Sequence, residues 1–196
     1  MSSKAARPVS VAAPISLAAK PPCKIDPTAI ISDKAILVGS HPIFIGANTV
    51  LHPFAKLDST HGPLTIEDYC IVCERATVGH VNPANGDSAI TIRSHVNIET
   101  GSTVEAVEIG KGCHIGAYAI VESDSKLGQF CKVTPACTLN RGTSLSDFTI
   151  VLDKGESRPD TTTSNRQDIQ DLKLKGQTMH VDTLRRLIPS NIAKWA

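Results

Sequence analysis

The sequence predicts an all-β solenoid, a three-sided parallel β-helix of about seven turns followed by one C-terminal α-helix. The first observation is a period of six, because Ile, Leu or Val stands at every sixth position from Ile109 to Val151. The second is a small residue four places after the aliphatic one, as at Cys113 and Ala119. The third is that breaks in the period follow sets of three repeats. A six-residue period of this kind is typical of parallel β-helices.

Twenty aliphatic positions follow this period through the chain. They are Ile25, Ile31, Leu37, Ile45, Leu51, Leu57, Ile66, Val72, Val78, Ile92, Ile98, Val104, Ile109, Ile115, Val121, Leu127, Val133, Leu139, Leu145 and Val151. The breaks lie between positions 37 and 45, 57 and 66, 78 and 92, and 104 and 109. The small residue is missing at His41, His61, Asn82 and Glu108, which lead into these breaks. Three repeats, one on each wall, therefore make one turn of the prism, and extra residues are tolerated at one of its corners.

Strand geometry explains both the aliphatic positions and the small positions. Side chains alternate across a strand, so the aliphatic residue and the small residue two places before it both point into the prism. A corner of the prism holds one branched side chain, and beside it only a small one fits. Turns that stack about 4.8 Å apart give a rod of roughly 30 Å.

The chain is predicted to divide into four segments. Residues 1–22 form a flexible N-terminal extension, 23–156 the β-helix, 157–176 a linker, and 177–196 the C-terminal helix and tail. The extension lacks acidic residues, as a mitochondrial transit peptide does, but its four prolines interrupt any amphipathic helix. This favours an extension that is flexible or ordered by a partner. The linker is assigned from the polar run ESRPDTTTSNR, where the period is absent.

The C-terminal helix is predicted from an apolar stripe. Val181, Leu184, Leu187 and Ile188 recur at helical spacing, and Pro189 ends the helix. So short a stripe is not stable alone in water. We therefore expect it to pack against the outer wall of the last turns.

Two aromatic residues are predicted to mark a covered surface. Phe130 and Phe148 are eighteen residues apart, and each stands three places after an aliphatic position, so both point outward on adjacent turns. Exposed aromatic pairs usually mark a contact surface. The cover is either the C-terminal helix of the same chain or another protein. These two residues and the helical stripe are the candidate interface or helix-docking residues.

Composition excludes several classes of function. The formal net charge of +1 over 196 residues gives no indication of nucleic-acid or anionic-membrane binding. No apolar run reaches the roughly eighteen residues of a membrane span. The six cysteines lack the spacing of a small secreted domain, which favours a reducing compartment.

The cysteines do not predict a metal site. Cys70 stands at an inward small position whereas Cys73 points outward, so the two cannot bind one tetrahedral zinc ion. Cys113 and Cys131 are eighteen residues apart and should stack inside the prism as small core residues. We expect no metal and no cofactor.

The histidines do not predict an active site. The segment TVGH, ending at His80, resembles part of the γ-class carbonic anhydrase pattern, but Asn85 stands where a second ligand is needed. His95 and His114 fall at different places in their repeats and should not converge. His80 opens the loop 79–91 and is also a candidate general base of a hexapeptide acyltransferase. A solvated turn is the favoured interpretation of that loop, so we expect no catalytic residue.

Several segments resemble one family of β-helix proteins. KIDPTAIISDKAIL, IGANTVLHPFAKL, GPLTIEDYCIVCERATV and IGKGCHIGAYAIVESDSKLG, with the closing helix VDTLRRLIP, are similar to the dynactin subunit 6 family. The resemblance runs from about Lys24 to Pro189 and implies a left-handed β-helix. The N-terminal extension carries no family signal.

The resemblance implies a noncatalytic structural subunit at the pointed end of dynactin, a cytoplasmic, cytoskeletal complex that supports dynein-driven microtubule transport and cargo engagement. The implied partners are a sister β-helix subunit (dynactin subunit 5) and the actin-related protein that ends the filament, in a hetero-oligomer. The alternatives are a γ-carbonic-anhydrase-like protein and a hexapeptide acyltransferase. Both of these build their sites within a homotrimer, whereas the dynactin subunit should pair with unlike chains.

Overall fold

The computed structural model describes residues 20–80, 88–152 and 156–195, and within them three parallel sheets form the walls of a triangular prism. The first wall contains β1 (Cys23–Ile25), β4 (Ile43–Ile45), β7 (Leu64–Ile66), β10 (Ile90–Ile92), β13 (Glu108–Ile109), β16 (Lys126–Leu127) and β19 (Ser144–Leu145). The second contains β2 (Ile30–Ile31), β5 (Val50–Leu51), β8 (Ile71–Val72), β11 (Asn97–Ile98), β14 (His114–Ile115), β17 (Lys132–Val133) and β20 (Thr149–Val151). The third contains β3 (Ile36–Gly39), β6 (Lys56–Ser59), β9 (Thr77–Val78), β12 (Thr103–Val104), β15 (Ile120–Val121) and β18 (Thr138–Leu139).

The register of the walls confirms the six-residue period. Each aliphatic position pairs with its counterpart on the next coil, as Ile115 does with Ile98 on one side and Val133 on the other. Eighteen of the twenty aliphatic side chains are buried, and the other two, Ile25 and Leu145, are half-buried at the two ends of the prism. The described residues make six complete coils and two strands of a seventh. The prediction of an all-β solenoid with one C-terminal α-helix is confirmed.

The small positions have a hydrogen-bonding role in addition to their size. The Cys113 thiol donates to the backbone oxygen of Gly128 at 2.9 Å, and the Ser125 hydroxyl donates to that of Asn140 at 3.1 Å. Both acceptors are the residue after the aliphatic position on the next coil. A small residue with a donor group therefore fits the narrow corner and also donates to a backbone carbonyl that has no partner in the strand ladder. A buried backbone carbonyl requires such a hydrogen bond. Val96 is an exception, a buried branched residue at one of these positions.

The C-terminal part needs a correction to the predicted boundaries. In place of a linker over 157–176, Ser157–Pro159 forms β21, Thr161–Ser164 forms α1, and the long helix α2 spans Gln167–Leu187, after which Ile192–Lys194 forms a short 3-10 helix. The apolar residues in the first ten positions of α2 are Ile169, Leu172 and Leu174, which do not continue the stripe of Val181, Leu184 and Ile188, so the stripe did not predict this part of the helix. Polar contacts stabilise this part instead, because the Gln167 amide donates to Asp171 at 2.9 Å, one turn further on. Asp168 also lies in the first turn, where a negative charge is favourable.

Both ends of the second wall are closed by the chain itself. β21 pairs antiparallel with β20 and ends the wall at the last coil. At the first coil, Ser190 forms an antiparallel bridge with Ser32, and the backbone N–H of Asn191 donates to the oxygen of Ile31 at 2.8 Å. Trp195 then packs against the end of the core. These contacts cover the edge of β20 and part of the edge of β2, which are thereby protected from pairing with another strand.

Residues 1–19 of the predicted extension and 81–87 of the predicted loop lie outside the described residues. Among the helices that the structure does describe, none has the length and apolar character needed to cross a bilayer.

Candidate interaction surface

Helix α2 lies across the outside of the second wall. Val181 and Leu184, fully buried and 7% exposed respectively, pack against an apolar patch formed by Ile30, Val50 and Ile71 of the first three coils. These wall residues point outward because each immediately precedes an inward aliphatic residue. Burial of a Val or Leu side chain contributes about 1.5–3 kcal/mol. The contact is thus the principal apolar attachment of the helix.

Polar contacts fix the direction of the helix along the corner between the first and second walls. The Gln177 side-chain amide donates to the backbone oxygens of Tyr69 at 2.7 Å and Val96 at 3.2 Å. Directly after Leu184, the Arg185 guanidinium donates to the Thr28 backbone oxygen at 3.0 Å and to the Asn48 side-chain oxygen at 2.6 Å. The helix therefore runs from the last coils towards the first.

The helical stripe docks at a different place from the one expected. Val181 and Leu184 are buried and Ile188 packs beside them, but on the first three coils and not the last turns. Leu187 is 70% exposed and faces away from the wall. The wall explains the difference, because its outward residues are polar on the fourth to sixth coils, where they are Asn97, His114 and Lys132. The run of apolar residues directly before the aliphatic positions of coils one to three is the signal that sequence reasoning missed.

Phe130 and Phe148 stack on each other, with ring centroids 5.6 Å apart and planes 2° from parallel. Both have left-handed backbone angles, φ 52° and 58°, which a residue with a side chain rarely adopts. The Phe130 ring also lies against Gly112, where an added Cβ would come within 2.7 Å of it. This stacking leaves Phe130 only 7% exposed. The apolar stripe of α2 does not cover the pair.

The three histidines considered in the sequence lie apart and in different environments. The His80 ring is buried, and its Nε2 lies 3.0 Å from the Ser88 hydroxyl. His95 stacks on Tyr69 with centroids 5.0 Å apart, and burial lowers the pKa of its imidazole. His114 Nε2 lies 2.9 Å from a carboxylate oxygen of Glu99, yet burial outweighs that attraction and lowers the His114 pKa.

Metal-ligating groups do not come together in the part of the chain that the structure describes. No cluster of three His, Cys, Asp or Glu side chains with metal-binding geometry occurs there. Cys70 is buried within the prism, whereas Cys73 lies on the outside beneath α2. Burial raises the pKa of both thiols to about 12, so neither is an effective nucleophile or metal ligand at neutral pH.

The outer face of α2 carries an uncovered apolar row. Leu172, Met179 and Leu187 are between 61% and 70% exposed on the side away from the wall. At the corner between the second and third walls, Phe54 and Tyr118 are 49% and 66% exposed. These two regions are the principal candidates for contact with other proteins.

Comparison with known proteins finds relatives of one description, each matched along most of the chain. No family model matches the sequence. Dynactin subunit 6 of Nematostella vectensis is 25% identical over 176 residues, which covers 85% of this chain and 89% of that protein. Dynactin subunit 6 of Xenopus tropicalis is 22% identical over 173 residues, covering 85% of this chain and 81% of that protein. The chain resembles dynactin subunit 6.

A solved structure supports the fold independently. A hexapeptide transferase family protein from Anaplasma phagocytophilum superimposes with a TM-score of 0.69, covering 84% of this chain and 91% of that one, at 16% identity. At that identity the likeness concerns the fold alone, the left-handed parallel β-helix of hexapeptide-repeat proteins. The dynactin subunit 6 resemblance noted in the sequence is therefore confirmed by two full-length relatives and agrees with the architecture.

Proposed function

We propose that this chain is a noncatalytic structural subunit of dynactin, located at the pointed end and acting in dynein-driven microtubule transport and cargo engagement. The observation that carries the proposal is the similarity to two dynactin subunit 6 proteins, which extends over 85% of the chain. The proposed location is the cytoplasm, in association with the cytoskeleton.

The surface of the protein supports an assembly role. The second wall is covered by α2, but the first and third walls have no covering helix among the described residues. The exposed row of Leu172, Met179 and Leu187 adds an apolar strip on the outside of the covered wall. Exposed apolar strips of this kind mark protein contacts. We propose that these surfaces bind unlike chains, among them the sister β-helix subunit 5 and the actin-related end subunit.

The enzyme alternatives receive less support from the geometry. A γ-carbonic-anhydrase-like site needs three histidines on one zinc ion, and His80, His95 and His114 have separate partners. An acyltransferase needs a histidine that reaches its substrate, whereas the His80 ring is 3% exposed and pairs with Ser88. These placements favour structural roles for the histidines.

Affinity capture with mass spectrometry, combined with the mass of the purified protein, tests the proposal. The tagged full chain should recover pointed-end dynactin components, and the purified chain should not form a stable homotrimer. The double variant Leu172→Asp, Met179→Asp should keep its fold, because both side chains face solvent. It should nevertheless recover less of the complex than the wild type does. A stable homotrimer that captures no dynactin component would contradict the proposal.

A further inference from the structure

A second feature of the covered wall is a groove between α2 and the later coils. Beyond the third coil the helix no longer makes apolar contact with the wall, and a cavity of about 350 Å³ opens there. Its floor includes the Phe130 ring, and α2 forms its other side. Ligand cavities in proteins begin at about 300 Å³. The groove is therefore large enough for a small ligand or for one or two side chains of a partner.

The charges around the groove have one sign. The cations are Lys132 on the wall and Lys173 on the helix, with the imidazoles of His114 and His180 beside them, and no Asp or Glu side chain lines the groove. By contrast, the larger cavity on the first wall mixes basic with acidic residues. A concave surface with cations on both sides attracts an anion more strongly than isolated surface charges do.

The nearest carboxylates are occupied by other groups. Glu99 accepts from the backbone N–H of Ala117 at 2.8 Å and lies 2.9 Å from His114 Nε2. Asp160 caps α1 by accepting from the Thr163 backbone N–H at 3.0 Å, and its other oxygen lies 3.4 Å from the Lys173 ammonium. Glu99 therefore orients the His114 ring, while the Lys173 ammonium donates to the Thr163 hydroxyl at 2.6 Å and is neutralised only in part by Asp160. Lys132 forms no ion pair with any of the described residues.

Gly176 of α2 lines one side of the groove. Gly176 lies in the interior of the helix, where glycine costs about 1 kcal/mol relative to alanine. An added Cβ at this position would meet no atom within 4 Å, so packing against the wall does not require glycine there. A larger side chain at this position would instead fill the cavity that Gly176 lines.

We propose that the groove is a binding site for carboxylate or phosphate groups, with Lys132 and Lys173 as the charged ligands on its two sides. Asn97 also lines it and adds a side-chain amide group, whereas the Gln177 amide donates to the backbone oxygens of Tyr69 and Val96. Charge-assisted hydrogen bonds from lysine suit both kinds of anion. The anion comes either from a small metabolite or from an acidic segment of a protein. The inference stands independently of the proposed function.

Calorimetric titration of the full chain at low ionic strength tests this site. The probes are citrate, inorganic pyrophosphate and a peptide of four glutamates, and at least one should bind with Kd below about 1 mM, corresponding to about 4 kcal/mol. The affinity should fall with added salt, because salt screens exposed charges. Tighter binding of the peptide than of citrate and pyrophosphate indicates a protein source, and the reverse indicates a small anion.

Variants separate the groove from general surface charge. The double variant Lys132→Gln, Lys173→Gln should weaken binding at least about tenfold, since loss of one charged hydrogen bond is worth about 1.5–3 kcal/mol. Gly176→Leu should weaken it to a similar extent by filling the groove while leaving every charge in place. The control is Lys126→Gln, an exposed lysine on the same coil but on the first wall, which should bind as the wild type does. Failure of all three probes to bind, or equal loss in the Lys126 control, would overturn the site.

Discussion

The attachment of α2 is tested most directly by two leucines three residues apart on the same helix. Leu184 is 7% exposed and lies in the apolar patch, whereas Leu187 is 70% exposed. Leu184→Asp removes about 1.5–3 kcal/mol of apolar burial and leaves a carboxylate without a partner, which costs at least a further 1–3 kcal/mol. Val181 is the other α2 residue buried in the patch, so a loss of this size should release the helix. Leu187→Asp should leave it in place.

The single tryptophan provides the assay. Trp195 follows α2 and packs on the end of the core near the first coil, so release of the helix should expose its ring and shift its fluorescence emission to the red. Proteolysis should also become faster between residues 166 and 187. The prism should retain its circular dichroism, because its hydrogen bonds run between coils. Equal red shifts for the two variants, or none for Leu184→Asp, would refute the docking described here.

Three further substitutions test the interior, the corners and the helix. Val133→Asp should lower the free energy of unfolding by several kcal/mol, and with it the melting temperature, because this side chain is fully buried. The outward Lys132→Asp should change the melting temperature little. Equal shifts of the melting temperature would mean that Val133 does not point into the prism. Gly112→Ala should cost more stability than Gly142→Ala, since both have φ of 70° but only Gly112 has a phenylalanine ring within 2.7 Å of the added carbon; equal losses in urea denaturation would mean that backbone strain alone matters. Gly176→Ala should stabilise the protein by up to about 1 kcal/mol and so raise its melting temperature. A lower melting temperature in calorimetry would show that the position is packed.

Most of the prism could be predicted because its rule is local. A wall pairs each coil with the next at constant spacing, so the identity of one position, such as Val133, is enough to assign its direction. The inward thiol of Cys70 and the outward one of Cys73 followed from the same rule, and both placements are confirmed. A period of six residues thus determines strand, direction and burial together.

The position of the helix could not be predicted from its own stripe. An apolar stripe indicates that something must cover it, but the place depends on the complementary surface. Here that surface is Ile30, Val50 and Ile71, three residues separated by about twenty positions each, which become neighbours only once the coils stack. The sequence prediction placed the helix over the aromatic pair Phe130 and Phe148 instead, although these two rings stack on each other.

The closure of the first coil by Ser190 and Asn191 has a consequence for how the chain folds. In an open solenoid each repeat contacts only its neighbours, so terminal repeats can fray independently and folding can begin anywhere. In this chain the segment after α2 pairs with β2, although Ser190 and Ile31 are 159 residues apart in the sequence. The two ends of the rod are therefore joined through α2, and fraying of the first coil requires release of the C-terminal segment. Such long-range contacts slow folding, and they protect the first coil from fraying for as long as the C-terminal segment stays bound.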